Sequence, residues 1–80
     1  MKVKFLFENY KDIFDLEKIE GLTPRVLEAM TSLLTCQFIS ELNEKIEEVE
    51  PEEIIDLTLK ARLAAQEMIL QKRDVEIDII

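Results

Sequence analysis

Residues 23–72 read TPRVLEAMTSLLTCQFISELNEKIEEVEPEEIIDLTLKARLAAQEMILQK, and the only two prolines of the chain divide this stretch into two long helices. Thr23 is a favourable N-cap residue, and Pro24 follows at the first helical position, where a missing N–H loses no intrahelical bond. The first helix is predicted to run from Pro24 to about Glu48. Its first half is apolar nearly all round, and such a helix must be buried on more than one side.

Pro51 begins the second helix. Glu52 and Glu53 fall in its first turn, beside the positive end of the helix dipole. Lys72 and Arg73 fall in its last turn, beside the negative end. One apolar set has alternating spacings of three and four residues: Ile54, Leu57, Ala61, Ala64 and Met68. A second set widens the apolar arc: Ile55, Leu59, Leu63 and Leu70. The two helices therefore form a long hairpin with more apolar surface than one helix–helix contact can cover.

Both ends of the chain carry short strand patterns. Residues 2–7 alternate between a face with two lysines and an apolar face. Residues 75–80 alternate between an apolar face and a face with Glu76 and Asp78. Opposite charges on paired strands lie within reach of each other. We therefore expect these strands to pair, with each other or across a dimer, in a direction that the alternation does not determine.

Residues 9–20 predict a short helix, with Asn9 as its N-cap. Gly21, the only glycine, follows at a position where helices commonly end. The predicted fold class is therefore mostly α with a small β element, in the order β-α-α-α-β around a long central helical hairpin. The chain shows no linker and no internal repeat, so residues 1–80 are predicted to form a single domain.

The small size of the chain predicts self-association. A protein of 80 residues buries only about 60% of its unfolded surface, so small cores are often completed by a second subunit. We expect a homo-oligomer, with a dimer as the simplest case. Periodicity indicates five residues for its interface: Leu33, Ile39, Leu59, Leu63 and Leu70.

The formal charge is −8, and the excess of acid is local. Residues 41–56 contain eight carboxylates and a single base, Lys45. The predicted acidic rim for partner binding consists of Glu41, Glu44, Glu47, Glu48, Glu52, Glu53 and Asp56. Such a surface repels nucleic acid and anionic membranes, so we expect no direct binding to either. It favours a basic protein surface as a partner, and a purely solubilising role is the alternative.

The residue types needed for catalysis are scarce. The chain has no histidine, and its one glycine excludes a glycine-rich phosphate loop. The lone cysteine, Cys36, has apolar neighbours, which predict a buried structural thiol and not a nucleophile. We therefore expect no enzymatic activity, no cofactor and no metal site. One acidic pattern supplies an alternative, an Mg²⁺ site near the hairpin turn, from two pairs: Glu44-x-x-Glu47 and Glu53-x-x-Asp56.

The predicted function is a small acidic module for protein interaction or assembly. No apolar run is long enough for a signal peptide or a membrane-spanning helix, and a lone thiol suits a reducing compartment, so we expect a cytoplasmic protein. Size and acidity alone suggest a phage or plasmid accessory protein. An alternative is an acidic DNA mimic that inhibits a nucleic-acid-binding enzyme. A third hypothesis is an Mg²⁺-dependent enzyme that uses the Glu/Asp cluster.

Overall fold

Residues 2–46 and 50–79 are described by the structure, which is a computed structural model. Its elements are, in order, strand β1 (Lys2–Phe5), a 3₁₀ helix (Phe7–Tyr10), helices α1 (Lys11–Glu20), α2 (Pro24–Lys45) and α3 (Pro51–Gln71), and strand β2 (Val75–Asp78). This arrangement confirms the predicted fold class, mostly helical with a β-α-α-α-β order and a two-stranded sheet formed by the ends of the chain.

The two strands pair with each other within one chain, and the pairing is antiparallel. The register is Lys2↔Asp78, Val3↔Ile77, Lys4↔Glu76 and Phe5↔Val75. It places lysines opposite acids on the exposed face and four apolar side chains on the buried face. The predicted strand over residues 2–7 is shorter in the structure, because the chain turns into the 3₁₀ helix after Leu6. There the Phe7 N–H donates a hydrogen bond of 2.8 Å to Asp74 Oδ1.

Helix α1 begins later than predicted. Its N-cap is Tyr10, and no side chain caps it, so the prediction of Asn9 as the cap is wrong. The reason is that Asn9 already belongs to the 3₁₀ helix, where its N–H bonds the Leu6 carbonyl. The helix stop at Gly21 is confirmed. Gly21 has φ +79° and donates its N–H to the Glu17 carbonyl at 2.8 Å.

Helix α2 begins as predicted and ends earlier. Thr23 Oγ1 accepts a hydrogen bond of 3.2 Å from the Val26 N–H, which confirms the N-cap. The helix ends at Lys45, because Ile46 adopts an extended conformation, while its N–H still bonds the Leu42 carbonyl. The predicted end at Glu48 is therefore wrong, and residues 47–49 lie outside the described part of the chain.

Helix α3 starts at Pro51 as predicted, and Glu50 and Glu53 form a reciprocal capping box at its N-terminus. Lys72 and Arg73 do not lie in the last turn, so that prediction is wrong. Lys72 is the C-cap, in the left-handed conformation with φ 54°, and Arg73 follows it. The Lys72 ammonium nevertheless donates to the Ile69 carbonyl at 2.7 Å, so its charge still stabilises the end of the helix.

The core lies where α1 and the sheet cover one side of the α2–α3 hairpin. Helix α1 contacts α2, and β2 contacts α3. Phe38 is fully buried at the centre, with its ring stacked on Phe5 at 4.3 Å between centroids and edge-on to Tyr10 at 5.3 Å. Because α1 and the sheet cover one side of the hairpin, the outer surfaces of α2 and α3 face solvent.

Among the described residues, no helix combines the length and the apolar character needed to cross a bilayer.

Candidate functional site

Four large apolar side chains stand in one row on the solvent side of α3. They are all more than half exposed: Ile55 at 67%, Leu59 at 57%, Leu63 at 67% and Leu70 at 58%. At about 100° per residue, these positions fall within an arc of about 80°. The row extends over roughly 22 Å at 1.5 Å per residue. We call these four residues the α3 face.

The opposite side of α3 is fully used by the core. Its buried residues are Leu57, Ala61, Ala64, Ala65, Met68 and Ile69. Helix α3 is therefore apolar on two sides, and the fold covers one of them. Single exposed leucines are ordinary on protein surfaces, but four apolar side chains along one side of a helix, interrupted by Gln66 between Leu63 and Leu70, are typical of an interaction surface.

Charged residues lie at both ends of the α3 face. Glu52 lies in the first turn of α3 and is seven residues before Leu59, so the two project in nearly the same direction. Beyond the last turn lie Lys72, which forms an ion pair with Glu17 of α1, and Arg73, which pairs with Glu67 and stays 62% exposed. One end of the face is thus acidic and the other basic.

The predicted interface residues divide into two groups. Leu59, Leu63 and Leu70 lie together on the α3 face. Leu33, which is 48% exposed, and the half-buried Ile39 both lie on α2. These two are six residues apart, so they point about 120° away from each other around the helix. The interface stays a prediction, and the geometry favours its α3 members over its α2 members.

Ile55 also belongs to the α3 face, although it was not among the predicted interface residues. Its side chain is as exposed as that of Leu63. The sequence signal was present, because Ile55 precedes Leu59 by one helical turn. The sequence therefore shows that Ile55 lies on the same side of the helix as Leu59, but it does not show that this side is exposed to solvent.

The acidic rim is not a uniform surface, because its first member is part of the fold. The Tyr10 hydroxyl donates to the Glu41 carboxylate, at 2.8 Å from each oxygen, and Glu41 is half-buried. Burial, followed by this hydrogen bond and the negative charge of Glu41, raises the pKa of Tyr10 well above its ordinary value of 10.0. Glu41 therefore connects α2 to the 3₁₀ helix.

Other members of the rim also have contacts within the chain. The Glu53 carboxylate accepts from the Glu50 N–H in the capping box, and Asp56 forms an ion pair of 3.1 Å with Lys60. Glu44 and Glu52 are exposed, and Glu47 and Glu48 lie outside the described residues.

No metal site emerges in the part of the chain that the structure describes. Within residues 2–46 and 50–79, no three acidic, cysteine or histidine side chains come together in a way that could hold a metal ion. One member of the predicted Mg²⁺ pattern, Glu47, falls outside those residues. The described carboxylates of that pattern therefore form no cluster of metal ligands.

Cys36 is exposed, so the prediction of a buried thiol is wrong. It lies two residues before the fully buried Phe38, and two residues correspond to about 200° around an α-helix. Leu34 and Phe38 face the core, and Cys36 faces away from it.

Comparison with known proteins adds no identity to these observations. No protein-family model, curated protein or solved structure matches the chain. The α3 face, with Glu52 at one end and Arg73 at the other, is the candidate functional surface of this chain.

Proposed function

We propose that this chain is a non-enzymatic assembly module of the cytoplasm that forms a homodimer through the α3 face. The observation that carries the proposal is the row of four apolar side chains, each more than half exposed, on a helix whose other side already forms the core. The free energy falls when a second surface covers an apolar face of this kind and removes it from water.

The energy available from the α3 face is of the order that association requires. Full burial of a leucine or isoleucine contributes about 1.5–3 kcal/mol, and roughly half of that remains for side chains that are already partly covered. Association itself costs about 4–15 kcal/mol in lost motion. Eight such side chains across a two-fold interface offer a gain of similar size. The expected dimer is therefore reversible and sensitive to single substitutions.

The shape of the protein also supports a second copy. The body measures 39 × 21 × 17 Å and exposes 5565 Å². A compact monomeric protein of 9.4 kDa exposes about 5000 Å². A standard interface buries about 800 Å² on each partner, which is about one seventh of this surface. The long side of an elongated helical body can supply that area.

The test is the absolute mass in solution, measured by light scattering on a size-exclusion column at low and high salt and at several concentrations. Twice the chain mass of 9.4 kDa is expected at both salts, because apolar burial is insensitive to screening. Leu59→Glu and Leu63→Glu should return the mass to that of a monomer with an unchanged helical circular-dichroism spectrum. Ile19→Glu is the matched control, because Ile19 is 79% exposed on α1, away from the α3 face.

Each alternative outcome has a definite meaning. A monomeric wild-type chain at all concentrations contradicts the proposal. A dimer that survives both leucine substitutions contradicts the location of the interface on α3. Dissociation by Ile19→Glu together with the other variants contradicts the specificity of the face.

A further inference from the structure

We propose that the two copies of α3 pack antiparallel, with the two-fold axis passing beside Leu63. This inference rests on the proposed function, since it assigns a partner and an orientation to the same face. The partner is a second copy of this chain. Apolar spacing and charge distribution along α3 point to this arrangement independently.

The first and last residues of the α3 face are placed symmetrically about one point of the helix, and the positions symmetric to Leu59 and Leu63 are Gln66 and Arg62. Ile55 precedes the midpoint between positions 62 and 63 by the same distance at which Leu70 follows it. An antiparallel partner centred there places Ile55 of one copy opposite Leu70 of the second copy. The two Leu63 side chains then meet beside the two-fold axis. Packed helices generally have their helix axes ~8–10 Å apart.

The charges at the ends of the α3 face select the antiparallel orientation. The same two-fold axis places Glu52 opposite Arg73 of the second copy, whereas Glu53 and Lys72 already have partners within the chain. A parallel arrangement would bring the two acidic ends together and the two basic ends together. The helix dipoles also favour the antiparallel arrangement, because opposite ends then lie side by side.

At the basic end of the face, Lys72 is held by Glu17 and lies over the Phe14 ring of its own chain, so Arg73 is the residue that can bind across the interface. Arg73 pairs with Glu67 of α3, and its side chain remains 62% exposed. A guanidinium carries five N–H donors, so the single Glu67 carboxylate leaves donors available for a second partner. Exposed ion pairs contribute little to affinity. The apolar row therefore supplies the affinity, and the charges determine the orientation.

Disulfide cross-linking in the full chain tests the orientation. The background is Cys36→Ser, because Cys36 is exposed and would react on its own. Into it are placed Leu63→Cys, Ile55→Cys and Leu70→Cys, one at a time. A disulfide requires Cα atoms about 4.4–6.8 Å apart. In the proposed dimer, two copies of residue 55 lie roughly 22 Å apart along the helix axis.

The expected pattern follows from the two-fold axis. After mild oxidation, Leu63→Cys cross-links to itself. Ile55→Cys and Leu70→Cys each stay uncross-linked alone, and an equimolar mixture of the two forms the mixed dimer. Ile19→Cys measures the background from random collisions, because Ile19 lies on α1 and away from the face.

The outcomes separate this inference from the proposed function. Self-cross-linking of all three α3 variants, with no preference for the mixture, shows a parallel dimer and overturns the orientation, while assembly through α3 stands. A scattering dimer with no α3 cross-links at all overturns both the orientation and the α3 interface. A monomeric chain overturns the proposed function itself.

Charge reversal provides a second, independent readout. At low salt, Glu52→Lys and Arg73→Glu should each weaken the dimer several-fold, and the double variant should recover most of the affinity, because the exchanged charges face each other again. Both changes are at exposed positions, so folding is monitored by circular dichroism and should be unchanged. Additive weakening in the double variant overturns the pairing.

Discussion

Tyr10→Phe tests a contact that holds the 3₁₀ helix against α2. The Tyr10 hydroxyl is shared between the two oxygens of the Glu41 carboxylate, at 2.8 Å from each. The tyrosine is only 4% exposed, and its ring lies edge-on to Phe38. The substitution keeps the ring packing and deletes one hydrogen bond to a charged group.

We expect this substitution to lower the free energy of unfolding by about 1–2 kcal/mol at neutral pH. A hydrogen bond to a charged group contributes about 1.5–3 kcal/mol, and the half-buried position of Glu41 reduces that figure through contact with water. Urea unfolding followed by circular dichroism measures the difference, at one fixed protein concentration because dimerisation affects apparent stability. Glu41→Gln is the control, since it keeps an acceptor and removes the charge.

The same contact predicts a pH dependence. Because the pKa of Tyr10 is raised in the folded state, the stabilisation is complete below the unfolded value of 10.0 and is lost as the pH rises toward the folded value. Above pH 10 the unfolded chain releases the tyrosine proton first. Between pH 10 and 11 wild type should therefore lose about 1 kcal/mol more than Tyr10→Phe.

Tyr10 is the only tyrosine, and the chain has no tryptophan, so tyrosinate absorbance reports this one group. It should appear together with unfolding and not before it. Two results refute the reasoning. One is a stability change within about 0.5 kcal/mol, the range of ordinary surface substitutions. The other is tyrosinate formation near the ordinary pKa in a protein that is still folded.

Three further predictions concern the fold and the free thiol. Phe38→Leu removes ring contacts with Phe5 and Tyr10, so the free energy of unfolding, measured in urea, should fall by about 2–3 kcal/mol. A loss within about 0.5 kcal/mol, as for an ordinary surface substitution, contradicts this prediction. Gly21→Ala should cost about 1–3 kcal/mol in thermal unfolding, because φ +79° and ψ 173° suit only glycine, although nothing lies within 4 Å of an added Cβ; an unchanged melting temperature contradicts it. Cys36 should react with a thiol reagent as fast in the folded protein as in urea, leaving the dimer intact; strong protection contradicts its exposure.

Local chemistry made most of the fold predictable. Thr23, Pro24 and Pro51 determine where the long helices begin, because capping and proline geometry depend on neighbouring residues. Alternation alone identified both strands, and the opposite charges of Lys4 and Glu76 indicated that they pair.

Two of the incorrect predictions depend on how parts of the chain that are distant in sequence come together. Asn9 was predicted as a cap, but a hydrogen bond from Phe7 to Asp74 helps to turn this segment into a 3₁₀ helix. Cys36 was predicted as buried, but periodicity gives direction around a helix and not which directions are covered. The same limit explains why the sequence grouped Leu33 with Leu63 in one interface.

Because β1 pairs with β2, β1 has no strand partner until β2 has been synthesised. Lys2 and Asp78 are partners, so all the residues between them must leave the ribosome before the ladder can close. The helical hairpin depends on contacts closer in sequence and can form first, because loop closure favours such contacts. Until then Val3 and Phe5 remain without a strand partner. Until β2 has been synthesised, β1 therefore exposes strand edges that can bind other chains, which favours chaperone capture or premature association at that stage.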